Sequence, residues 1–310
     1  MKSVYAFMAC MSVFFAMSCA GDKKTDEKTA MAAEAVDVKT ERLDAALWED
    51  ADVDTTMMRL WTQMAGVPDV TSLKASKMFT MFEPDVLKVF PPKTNPLEGL
   101  DALGSRWNTI MDKPFPIKSA ATIVLPTMQQ IVVSDSALFV VLNHYLGAEH
   151  PAYNGFPEYK RATKVSARIL PDVAEALVAL NYPDSSTNLM QAMVYQGALV
   201  EAVMQLTGQS EQQMLGYTDI QISEAAKMQE RVWNDLIKRK LLLSTDPAVM
   251  AQMIAPSPAT TIVSPDAPGR LGRFIGHRLV NPSGKKATSA VSTMLTPEFY
   301  MNPDVVRNTK

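Results

Sequence analysis

Cysteine and histidine are both scarce in this chain of 310 residues: the two cysteines are Cys10 and Cys19, and the three histidines are His144, His150 and His277. So few thiols cannot build a disulfide framework or a thiolate cluster, and the imidazoles lack the paired helical spacing of a zinc site. No HExxH, GxSxG, Walker loop or GxGxxG occurs, so metallopeptidase, serine-hydrolase, nucleotide-hydrolysing and dinucleotide chemistry all lack their signatures. No cofactor or metal is expected. Positive charge is not in excess either: 30 Lys and Arg stand against 33 Asp and Glu, a formal net charge of −3. The basic residues are scattered, which argues against a nucleic-acid partner.

Long apolar runs are also missing. The run Val4 to Met17 is about 20 Å long as a helix, short of a hydrocarbon core of about 30 Å. A basic Lys2, a short apolar centre and small residues at the end form the layout of a secretory signal. Ala16-Met17-Ser18-Cys19 resembles a bacterial lipobox, with Ala16 where leucine is usual. Residues 1–18 are then a lipoprotein signal peptide, Cys19 is the lipidated residue, and the lipid is the membrane attachment. An ordinary signal that leaves Cys19 as an idle thiol is the bland alternative. Residues 19–39 are charged, Ala-rich and short of large apolar side chains, as suits a solvated tether. The folded body is expected over residues 40–310 as one domain.

Within it, the pattern predicts helices from Glu41 to Met64, Lys74 to Lys88 and Leu97 to Met111. Strands are expected at about 121–125, 129–133 and 137–142, where β-branched and aromatic residues cluster around the turn chemistry of Ser134-Asp135-Ser136. Helices then follow from Asp172 to Leu180 and from Ser186 to Leu206, the latter ending at Gly208 and apolar on more than one face, hence buried. Thr218 and Gln221 form a capping-box signature, Pro247 suits a first helical turn behind Asp246, and "GRLGRFIGHRLV" reads as a short closing helix. The polar end from Asn281 is read as partly loose. The fold class is α+β, mostly helical, with a small sheet before a buried central helix. The 21 methionines are dispersed at helical spacings and read as core.

Candidates for chemistry are few. His144 and His150 read as polar rings at loop or sheet edges. Asp172 and Glu175 stand three apart at a helix start, where a carboxylate pair can act as acid and base but where the helix dipole also favours negative charge. Arg270, Arg273 and His277 share one helix face behind Pro268-Gly269, a set suited to an anion or partner, or to a neighbouring carboxylate.

Four segments taken in order, "NHYLGAEHPAYNGFPEYK", "MVYQGALVEAVM", "GYTDIQISEAAKMQERVWNDLIKRKLLLSTDP" and "PGRLGRFIGHRLV", resemble the GldB family of gliding-motility lipoproteins of Bacteroidetes-type bacteria. The resemblance spans about Thr122 to Val280. It implies a scaffold similar to zincin-type peptidases, with residues 186–206 as the helix that would be catalytic there. That helix holds no histidine here; Tyr195, Gly197 and Glu201 are its distinctive members. The family tends to carry an aromatic residue where His277 stands, which implies a packing role for it. The expected function is a non-enzymatic envelope lipoprotein, placed in the outer membrane, with protein partners in a motility or secretion apparatus. The alternative is an envelope hydrolase with a degenerate zincin-like site using Asp172, Glu175 or Glu201.

Stable anchoring takes more than one acyl chain. Cys19→Ala is therefore expected to move the protein from the membrane to the soluble fraction and to abolish incorporation of labelled palmitate. A wild-type protein that takes up no lipid contradicts the anchor.

Overall fold

A computed structural model of the chain describes residues 35–52, 54–282 and 289–307. Cys10, Cys19, the signal and most of the tether lie outside the described residues. Val38 is already buried and the first strand starts at Lys39, so the body begins before Thr40.

The sheet has four strands, β1 (Lys39–Arg42), β2 (Ser119–Ile123), β3 (Ile131–Ser134) and β4 (Ala137–Val141), in the order β1-β2-β4-β3. β1 and β4 run parallel to β2, and β3 returns antiparallel to β4 with Ile131 opposite Val140 and Ser134 opposite Ala137. The turn between β3 and β4 rests on Asp135 at φ +50°, a left-handed conformation that Asp tolerates. β4 is buried along its length, as expected of a central strand covered on both faces. β3 is an edge of the sheet.

The helix expected from Glu41 to Met64 does not form as one piece. Residues 39–42 pair instead with residues 119–122 of β2, and α1 (Leu43–Trp48) is followed by α2 (Thr55–Ala65). Asp54 separates them, because its side chain accepts from the N–H groups of Thr56 and Met57 and starts a new helix. Arg42 and the fully buried Asp44 form an ion pair of 2.7 Å at this junction, and the Thr122 hydroxyl donates to Asp44. Next come α3 (Val70–Lys74), α4 (Lys77–Val89), capped by Ser76, and α5 (Leu100–Ile110).

The second half is helical: α6 (Glu158–Arg161), α7 (Ile169–Asn181), α8 (Leu189–Thr207), α9 (Glu211–Leu215), α10 (Asp219–Lys238), α11 (Pro247–Ile254) and α12 (Leu271–Val280). The predicted capping box at Thr218 and Gln221 is present, and Asp246 caps α11 with Pro247 in its first turn. Part of the chain past Asn281 lies outside the described residues; the part from 289 to 307 is helical in places. Short helices α13 (Val291–Met294) and α14 (Pro297–Tyr300) bury Val291, Met294, Leu295 and Tyr300, whose ring meets Tyr195 edge-on. A final turn, α15 (Asp304–Arg307), follows. The protein is thus a mostly helical α+β fold.

α8 is the axis. Asn188 caps its start by accepting from Gln191 N–H, Gly208 ends it at φ +75°, and most of its residues are buried, as expected of a helix apolar on more than one face. α12 crosses it at backbone contact. A Cβ placed on Gly276 would lie 1.7 Å from the Met193 carbonyl oxygen, and one on Gly197 would lie 2.1 Å from the Gly276 carbonyl carbon. Neither backbone can yield without parting the helices. Among the described residues no helix is long and apolar enough to cross a membrane.

Gly276→Ala should therefore lower stability by about 1 to 3 kcal/mol or more through overpacking. Met193→Ala, at a fully buried position of the same crossing, should cost about 2 to 5 kcal/mol through lost burial and a cavity. Urea unfolding checks both, with the exposed Ile220→Ala as the control that moves by less than about 0.5 kcal/mol.

Candidate functional site

The α8–α12 crossing divides the charged residues around it into two groups. The first is enclosed. Glu201 of α8 is buried, and its carboxylate accepts from His277 Nε2 at 2.8 Å, Asn281 Nδ2 at 3.0 Å and Gln205 Nε2 at 2.6 Å. His277 Nδ1 meets Glu211 of α9 at 2.5 Å, and Arg278 donates to the other oxygen of Glu211 at 2.5 Å. With a carboxylate at each ring nitrogen, His277 is satisfied as the doubly protonated imidazolium. Burial works against that charge, but Glu201 and Glu211 together raise the pKa above its ordinary value. For Glu201, burial is likewise outweighed by His277, Gln205 and Asn281, and its pKa is lowered. His277 is thus an ionic tie between α8, α9 and α12, rather than an aromatic packing replacement.

The second group is open. A cavity of about 710 Å³ lies between the start of β3, α7, α8 and the residues after α11. Tyr195, Gln196 and Leu199 line it from α8, while Ile131, Ile254 and Pro256 supply apolar wall. Its charged lining is Arg168, Asp172, Glu175 and Asp184 together with Arg270 and Arg273. Arg168 binds Asp172 at 2.7 Å and Arg273 binds Glu175 at 3.0 Å. Tyr145 and Gln130 also donate to Asp172, at 3.0 Å and 3.4 Å. Burial, which disfavours the charged form, raises the pKa of Asp172. Burial acts the same way on Glu175, yet Arg273, Arg168 and Arg270 together bring its pKa below the ordinary range.

Arg270 differs from its neighbours. Its guanidinium makes no hydrogen bond or ion pair with the described residues, and the residue sits at φ +60° as the N-cap of α12, its carbonyl accepting from Arg273 N–H. Burial, with Arg273 and Arg168 adding to it, pulls its pKa down to about 10. The surrounding loop is pinned in place. Thr260 donates its hydroxyl to Pro268 O at 2.6 Å and accepts from Leu271 N–H, and Tyr217 donates to Gly269 O at 2.6 Å.

The sequence candidates are therefore regrouped. Arg270 and Arg273 join Asp172 and Glu175 in the cavity, whereas His277 belongs with Glu201 in the enclosed group. His144 stands elsewhere, with Nε2 2.9 Å from Thr127 O and Nδ1 2.9 Å from the Lys164 ammonium, its pKa pushed down to about 4 by burial and then by Lys164. His150 Nε2 lies 3.3 Å from Asp85. Arg168 and Gln130 were missed; the spacing of Arg168 and Asp172, four apart on one helix face, is the signal that could have found the first. Among the described residues no cluster of three or more His, Cys, Asp or Glu is placed to hold a metal ion.

An axial helix bridged by closed ion pairs, with an open charged cavity beside it, describes a helical α+β scaffold. A family model described as gliding motility protein GldB matches residues 24–296. The chain belongs to this family of gliding-motility lipoproteins. Comparison with curated proteins and with solved structures gives no match.

Because the folded-state pKa of His277 is raised, its stabilising contribution is full below its ordinary value of about 6.5 and is lost as pH rises through the raised one. Unfolding free energies from about pH 6 to about pH 9 should fall for the wild type, and His277→Gln should remove part of that fall. Glu201→Gln should lower stability by about 1 to 3 kcal/mol, since a buried acceptor of three hydrogen bonds is weakened.

Proposed function

We propose that this protein is a lipid-anchored, non-enzymatic component of a gliding-motility apparatus, attached through Cys19 at the outer membrane and acting by holding a protein partner. Family membership supports the motility role, and the lipobox supports the anchor. The observation that carries the binding reading is the engagement of Asp172 and Glu175 by the cavity's arginines. Both oxygens of Asp172 are engaged, by Arg168 on one and by Tyr145 and Gln130 on the other. Glu175 is held by Arg273. A general base needs a free oxygen within reach of the proton it removes; Asp172 keeps none, and Glu175 is tied to Arg273 through one of its two.

The zincin-like reading fits the same assignment. A peptidase of that type carries HExxH on its central helix, with the two histidines and the glutamate at i, i+4 and i+1. α8 presents Tyr195, Leu199 and Gln196 to the cavity at that spacing. None of these side chains is a good zinc ligand, so the scaffold serves recognition. The hydrolase alternative draws on the raised pKa of Asp172 in a cavity, a feature also produced by burial alone.

Two experiments separate these readings. Purified full-length protein is expected to retain less than stoichiometric zinc after dialysis; tight one-to-one zinc would revive the peptidase. In a deletion strain, Asp172→Asn at wild-type abundance is expected to restore gliding, because the amide oxygen still accepts from Arg168. An abundant Asp172→Asn protein that leaves cells immotile points to carboxylate chemistry.

A further inference from the structure

The cavity is lined by three guanidinium groups and three carboxylates, Asp172, Glu175 and Asp184, but the ion pairs join only Arg168 to Asp172 and Arg273 to Glu175, so one guanidinium charge stands outside any ion pair with the described residues. That charge is on Arg270. Three features of Arg270 are each unfavourable to the folded protein taken alone. It is partly buried with no acceptor, it lies beside two further arginines that lower its pKa, and it adopts a left-handed backbone conformation that disfavours a side chain with a Cβ. Thr260 and Tyr217 hold the loop in that conformation from outside. Strain maintained by surrounding contacts, at a cationic side chain without a partner, marks a position kept for binding. Nε of Arg168 and Nε of Arg273 are also buried and without acceptors, so each flanking arginine keeps a donor unused even where its ion pair has formed.

The shape and charge of the cavity narrow the ligand. One guanidinium outside any ion pair matches a carboxylate, and a dianionic phosphate would meet Asp172, Glu175 and Asp184 as well as the arginines. The remaining wall is apolar, with Ile131, Leu199, Ile254 and Pro256. It runs beside Gln130 and Ile131 at the start of β3, the terminal strand of the sheet. An extended chain can lie along such an edge, using backbone hydrogen bonds for affinity and a side-chain pocket for specificity.

We propose that the cavity is a receptor for an acidic extended segment of a partner protein, with a carboxylate of that segment bound by Arg270 between Arg168 and Arg273. This deepens the binding reading above and rests on it. Guanidinium and carboxylate form two parallel hydrogen bonds when both are oriented, and the pinned loop orients Arg270 in advance.

The test uses the full-length protein in detergent and a random peptide library. Recovered peptides are expected to be enriched in Asp or Glu at one position. Their affinity should fall about 10- to 100-fold in Arg270→Gly, the loss expected for a charged hydrogen-bonded contact, and should recover in part in Arg270→Lys. Arg270→Gly should melt at the same temperature as the wild type or higher, because glycine suits φ +60°. A residue whose role is only structural would show the reverse, with lower melting and unchanged affinity. Arg270→Asn, which also tolerates this backbone, provides a second variant. The proposal is overturned if recovered peptides show no acidic preference, if acidic peptides bind Arg270→Gly as tightly as wild type, or if inorganic phosphate or anionic vesicles bind the site and the peptides do not. Selection is done on isolated protein, whereas the Asp172→Asn complementation reads motility in cells. Failure of the first with success of the second removes this ligand and leaves the non-enzymatic reading standing.

Discussion

The backbone contact between α8 and α12 is the constraint on which the charged architecture depends. Gly197 and Gly276 let the helices approach until each would exclude a methyl group on the other, and this approach fixes where α12 directs its side chains. Arg273, one turn before Gly276, reaches Glu175 of α7. His277, next to Gly276, reaches Glu201 of α8 and Glu211 of α9. Separating the helices by the width of a methyl group would lengthen these contacts together. Burial of the apolar surface of α8 supplies the driving force, and the glycines decide the geometry that results.

The two charged groups have opposite designs. Around His277, cations and carboxylates alternate and the side chains of three helices are joined. Around Arg270 the pairs are incomplete and the walls open to a cavity. A folded protein gains specificity from the first arrangement and loses stability through the second unless a ligand completes it. The same short helix, α12, takes part in both, so the enclosed network holds the arginines of the open one in position. Asn281, at the end of α12, extends the enclosed side by donating to Glu201.

Much of the helical layout could be read in the sequence because its signals are local. Thr218 with Gln221, Asp246 with Pro247, and Gly208 mark helix ends by chemistry that acts within one turn. The strand Lys39–Arg42 could not be read this way: its four residues are polar or charged, and its pairing partner is β2, some eighty residues away. The helix at Tyr300 was hidden for a similar reason, since Tyr300 is held by a distant contact, its hydroxyl accepting from Ser185 N–H. At the site, spacing placed Arg270, Arg273 and His277 on one face. It could not show that the left-handed turn at Arg270 and the glycine crossing would send His277 to a different set of partners. The burial of Glu201 was also beyond reach, because its partners Asn281 and His277 lie far along the chain.

The central claim is that the cavity around Arg270 is where this lipoprotein does its work, by binding. The most direct measurement is gliding of a deletion strain that produces Arg270→Gly, with abundance and membrane fractionation measured beside it. The account predicts a stable, membrane-associated protein present at wild-type level in cells that do not glide. Normal gliding with that variant would contradict it.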